Sequence, residues 1–127
     1  MKKLLLISLT ILLFSCGNSE LTRGETIDKM NREVKSVLPQ DFNNGLVWTK
    51  AINEDNLRAV KIYDVSKKAL SIVENNISKT LLIEGLKAFP NKAGYKVSQE
   101  KGIILVWRYF YKKTLIKEII VNPEEWD

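Results

Sequence analysis

Residue types exclude several chemistries before spacing is considered. The 127 residues contain no histidine and a single cysteine. There is therefore no Ser-His-Asp or Cys-His arrangement and no histidine metal site. Neither a glycine-rich phosphate loop nor a G-x-S-x-G elbow occurs. Carboxylates remain. Glu54 with Asp55, and Glu124 with Glu125, are adjacent pairs in an expected turn and tail. General acid–base work needs carboxylates positioned in partly desolvated surroundings. Solvated turn residues explain these pairs better, so no catalytic residue, metal ligand or cofactor is expected.

The most distinctive side-chain constellation is aromatic. The run IILVWRYFY, Ile103 to Tyr111, places Trp107, Tyr109 and Tyr111 on one face of a strand, with Trp48 on an earlier one. As structure, these rings are cross-strand packing. As function, part of the stripe faces outward with basic residues at its rim, since Tyr, Trp and Arg are enriched at binding hot spots. Trp107 reads mainly as core. Arg108, Tyr111, Lys112 and Lys113 are the candidate protein-binding residues. Trp126 either clamps the sheet edge or meets a membrane or partner surface.

The solitary Cys16 closes an apolar run. Lys2 and Lys3 precede Leu4 to Phe14, a stretch interrupted only by Ser8 and Thr10. That run suits a secretory signal and is too short to span a bilayer. Leu13-Phe14-Ser15-Cys16 resembles the lipobox of bacterial lipoproteins. The resemblance implies cleavage before Cys16, diacylation of its thiol, and frequent acylation of the new amino terminus. A thioether needs no partner cysteine, which accounts for the odd count. One acyl chain holds a protein to a membrane only marginally, whereas two or three hold it stably. Gly17 stands where the best-known inner-membrane retention signal has aspartate, so the periplasmic side of an outer membrane is favoured in a Gram-negative cell.

Removing residues 1–15 leaves 112 residues, enough for one domain with a real core. Lys2 and Lys3 leave with the signal, so 18 basic residues face 15 acidic ones, a net of +3. That mild, dispersed excess does not make a nucleic-acid protein. Residues 16–21 form a lipidated N-terminus and short tether. Its five residues after Cys16 reach at most roughly 18 Å, which keeps the domain of residues 22–127 near the bilayer.

Within that domain, Thr22 to Leu38 reads as a helix with Ile27, Met30, Val34 and Val37 on one face, opened by the capping box Thr22-x-x-Glu25 and stopped by Pro39. Residues 40–45 read as a loop. Leu46 to Ile52 and Leu57 to Val65 form a hairpin about Asn53–Asn56, with Leu46, Trp48 and Ile52 on one face. A second helix runs from Ser66 to about Phe89, weakened at Asn75-Asn76, where Ser78 could cap a separate half. Residues 91–102 fit either a strand or a helical turn, and Gly102 tips the reading towards a hairpin. Ile103 to Tyr111 and Leu115 to Val121 are the last strands. The order αββαββ predicts an α+β domain: an antiparallel sheet of four strands, or five, with helices packed on one face.

LPQDF, a hairpin ending in YDVS, GIILVWRYFY and IIVNPEEW together resemble a loosely defined group of small bacterial α+β envelope proteins. The resemblance covers most of residues 30–126. The chain departs from that pattern at Ala59 and Lys61, where aromatics are expected. The group carries no activity to transfer. The expectation is a membrane-anchored envelope lipoprotein that binds an envelope protein as an accessory module and is not an enzyme. The alternatives are a protective lipoprotein of the immunity or exclusion kind, and a small-ligand binder or enzyme.

Overall fold

The computed structural model describes residues 21–127. The expected signal segment and the expected lipid anchor at Cys16 lie outside the described residues. The domain is α+β, with a five-stranded mixed sheet in the order β1-β2-β3-β4-β5. Helix α1 covers Arg23–Val34. The strands are β1, Gln40–Asp41; β2, Leu46–Glu54; and β3, Arg58–Val65. Helices α2 (Leu70–Asn75), α3 (Lys79–Ala88) and α4 (Tyr95–Glu100) follow. Strands β4 (Ile104–Tyr111) and β5 (Thr114–Val121) complete the sheet.

The capping box at α1 is formed: Glu25 N–H donates to Thr22 Oγ1 at 3.1 Å, and Thr22 N–H donates to Glu25 Oε1 at 3.1 Å. The Thr22 backbone bond is the first cause that holds the Glu25 carboxyl below its ordinary value. The helix ends earlier than expected. Lys35–Val37 tighten into a 3₁₀ turn, which turns Val37 outward to 54% exposure. The long second helix is broken where Asn75-Asn76 weakened it. Ser78 caps α3 by accepting from Leu81 N–H at 3.2 Å. The break resets the helical phase, so Leu86 is buried while Leu81 is 50% exposed.

Four departures change the sheet. β3 and β4 pair in parallel, not antiparallel. The chain between them carries α2 to α4, which is long enough for the crossover that a parallel pair requires. The fifth strand comes from Gln40–Asp41, expected as loop, and pairs with Val47 and Trp48. Residues 95–100 form α4 instead of a strand, and Gly102, at φ 73, follows that helix before β4.

The fourth departure is a bulge. Trp48 opposes Tyr63, but Lys50 opposes Ile62, so Thr49 is an extra residue in β2. One inserted residue exchanges the faces beyond it. Ala51 therefore joins the inner face, while Ile52, expected beside Trp48, lies on the outer face at 37% exposure.

The helices pack on the inner face. Ile27 of α1, Val73 of α2 and Leu86 of α3 join Trp48, Tyr63, Val65, Leu105, Trp107, Tyr109, Ile119 and Val121 in one buried cluster. Trp126 closes that cluster at 3% exposure, in a 3₁₀ turn of Pro123–Trp126.

Candidate functional site

Strand register sorts the inner face into rows. Trp48, Tyr63 and Tyr109 lie side by side. Tyr63 and Tyr109 stack at 4.9 Å between ring centroids, with Trp48 at 6.3 Å from Tyr63. Burial, first of all, pushes both tyrosine hydroxyls well above their ordinary value, so they stay neutral. The next row is Ala51, Lys61, Trp107 and Ile119; the one after holds Asn53, Ala59, Leu105 and Val121.

Lys61 is thus a cation on the face that forms the core. Its ammonium sits 4.9 Å from the Trp48 ring centroid, 4.8 Å from that of Tyr95 and 5.8 Å from that of Trp107. It also donates to the Tyr95 hydroxyl. Aromatic faces attract a cation through their quadrupole, and more strongly where water is excluded. Each ring is held by its element. Trp107 is in register with Lys61 on β4. Trp48 donates its indole N–H to Lys50 O at 2.9 Å, a bond that bridges the bulge. Tyr95 is delivered by α4, whose Ser98 is fully buried with its Oγ 3.2 Å from Met30 Sδ of α1.

A cleft of about 50 Å³ opens beside this lysine. Its walls are Met30 and Val34 from α1, Ala51 from β2, Ala59 from β3, and Trp48, Tyr95, Leu105 and Trp107. Two alanines create the space, because bulkier residues in those rows would fill it. Asn31 and Glu33 bring polar groups to the lining. Among the described residues, Lys61 forms no ion pair. Its one hydrogen bond within the described residues is to Tyr95, so an ammonium with three donors has two that no protein group there accepts.

The outer face is organised differently. Arg108 donates to Glu54 Oε2 at 2.7 Å and Oε1 at 3.0 Å, and to Glu118 at 2.6 Å. By register, Glu54 and Arg108 flank the row Ile52, Val60, Val106 and Ile120. The bridge therefore passes over Val60 and Val106, which are 1% exposed, and leaves Ile52 and Ile120 open at its ends. The Arg108 hydrogen bond, first of all, holds the Glu54 carboxyl below its ordinary value. The same bonds raise the guanidinium further.

The sequence-derived candidates thus fall in two other places. Arg108 lies on the outer face and is engaged by two carboxylates. Tyr111, Lys112 and Lys113 lie at the β4–β5 hairpin, where Lys112 and Lys113 adopt φ 48 and 67 and the Lys112 ammonium lies 5.4 Å from the Tyr111 ring. None of the four lines the cleft. The signal for the cleft was in the sequence nonetheless: Ala59 and Lys61 stand in phase with Tyr63 where aromatics are expected. Tyr95 gave no such signal, because residues 91–102 fit a strand as well as a helical turn. Among the described residues, no cluster of three or more Cys, Asp or Glu could hold a metal ion.

No protein-family model and no curated protein matches the sequence. Two solved structures match the chain. One is a protein of Pseudomonas aeruginosa described as secreted, with a TM-score of 0.68 and 16% identity, over 83% of this chain and 93% of that one. The other is EpsS, the pilotin of the Vibrio vulnificus type 2 secretion system. It gives a TM-score of 0.46 and 13% identity, over 82% of this chain and 97% of that one. At such identities the first likeness speaks for the fold alone.

Proposed function

We propose that this protein is a lipid-anchored binding module of the bacterial cell envelope, without catalytic activity, that holds a segment of another envelope protein in the cleft between α1 and the sheet. The cleft carries this reading: its walls are apolar and aromatic, it opens to solvent, and its polar groups are one lysine, one amide and one carboxylate. Clefts with apolar walls and few placed polar groups are the ordinary form of a binding site. The lipobox-like Cys16 and the short tether supply the location, close to a membrane surface. The fold shared with a protein described as secreted is compatible with an exported domain.

The test is in-cell photo-crosslinking from a probe at Glu33, an exposed residue on the cleft lining, followed by pull-down, run with the natural chain and with Cys16→Ala. The expected result is one enriched envelope protein, lost or strongly reduced without the anchor. Crosslinks spread evenly over abundant proteins, unchanged by Cys16→Ala, would overturn the reading. Detergent-phase partitioning that survives Cys16→Ala would remove the anchor from it.

A further inference from the structure

We infer that the cleft reads a carboxylate, and that the partner segment it accepts inserts one carboxylate carried on a short apolar stem, with Lys61 as the receptor. The inference rests on the cleft being the docking site and names the chemistry of what docks. A lysine on a core-forming face normally acquires a counter-ion or is replaced. Lys61 instead has three aromatic rings and one phenol hydroxyl, and among the described residues no carboxylate pairs with it. Rings stabilise the charge without using its hydrogen-bond donors, so two N–H groups stay available to an incoming acceptor. A carboxylate offers two oxygens and gains a charge-assisted bond in surroundings drier than water.

Size sets the rest of the group. A void needs about 10–15 Å³ of such space for each water, so ≈ 50 Å³ takes a carboxylate and a few carbons, with the remaining chain leading out of the mouth. Ala51, Ala59 and Met30 are the apolar surfaces against which that stem would lie. Glu33, also on the lining, opposes any incoming negative charge, so it weakens a single carboxylate and penalises a doubly charged group more.

The test uses butanoate and its neutral isostere butanamide, titrated into the protein while the indole N–H resonances of Trp48 and Trp107 are followed. Trp126, which does not line the cleft, reports that the fold is intact. Saturable shifts are expected for butanoate, with butanamide about tenfold weaker, the factor equivalent to about 1.4 kcal/mol. Lys61→Met should abolish the preference and leave the Trp126 signal in place. Glu33→Gln, an exposed change that spares the fold, should tighten butanoate binding. Equal binding of acid and amide, no binding of either, or a preference that persists in Lys61→Met would overturn the inference. Crosslinking from Glu33 would then still decide whether the cleft docks a protein. A carboxylate preference without any captured protein would instead retire the protein partner and keep Lys61 as a receptor.

Discussion

The Lys61 ammonium donates to the hydroxyl of Tyr95, 34 residues further along the chain. This bond ties the middle of the sheet to the short helix α4 and forms one side of the cleft. Both residues are half-buried. Removing one partner leaves the other incompletely satisfied, whereas removing both restores a consistent apolar site.

Tyr95→Phe should therefore lower stability by about 1–2 kcal/mol, because the ammonium loses its acceptor. Lys61→Met should cost less, since methionine fills the same space without a charge. The double variant should resemble Lys61→Met instead of the sum of the two. Urea melts of the four proteins, combined as a double-mutant cycle, check this. Strict additivity would show that the bond does not contribute in solution.

Trp107 is 5% exposed, in register with Lys61 and Ile119. Trp107→Ala should destabilise the domain by about 3–5 kcal/mol, the range for a large aromatic removed from a core. Denaturant midpoints at constant m-value give the measurement. An unchanged midpoint would mark Trp107 as a surface residue.

The aromatic strand was legible because IILVWRYFY is dominated by β-branched and aromatic residues, and Ile104–Tyr111 form β4. The capping box at Thr22 was legible for a similar reason: it is local, and both its bonds lie within four residues. Thr49 was not legible, because a bulge is one residue whose only mark is the face of everything after it. Ile52 was therefore misplaced, and Ala51 was missed as a cleft residue. The state of Tyr95 stayed open between strand and helix because YKVSQE has no stripe to declare a helix. Its helical state depends on distant packing, shown by Ser98 buried against Met30 of α1. The parallel pairing of β3 and β4 is a property of the whole crossover and has no local signature. Half of the site, Ala59 and Lys61, stood out as a break in pattern; the other half came from tertiary structure.

Acid should weaken the domain through the outer-face network. The Arg108 hydrogen bond keeps the Glu54 carboxyl below its ordinary 4.5, against the opposing effect of desolvation. In the pH range below that ordinary value, the unfolded chain binds a proton there more readily than the folded one. The contribution is therefore complete above about pH 5 and disappears as pH falls through the lowered folded value. Thermal midpoints between pH 6 and pH 3 should fall, and Glu54→Gln should flatten the slope. Glu25 and Glu125, lowered in the same direction, preserve part of it. An identical slope in Glu54→Gln would show that Glu54 does not participate.

The contact of α1 with the β2–β3 turn yields a prediction that includes its own rescue. Asn53 Nδ2 donates to Gly24 O at 3.3 Å, to Asp28 Oδ1 at 3.0 Å and to Asn56 Oδ1 at 2.9 Å, fastening the turn to the helix. Gly24 is buried in that contact, and a Cβ placed there would lie 2.8 Å from the Asn56 Cβ. Gly24→Ala gains helix propensity, but the clash dominates because it falls close to the Asn56 main chain. A net loss of roughly 1–3 kcal/mol is expected, as for other overpacked sites. Asn56 has φ 54, a conformation that glycine adopts without strain. Asn56→Gly should therefore remove the obstruction at little backbone cost, so Gly24→Ala with Asn56→Gly should be more stable than Gly24→Ala alone. Thermal or urea melts of the pair decide it. If the second change adds to the loss, the helix and the turn do not approach as closely as the structure shows.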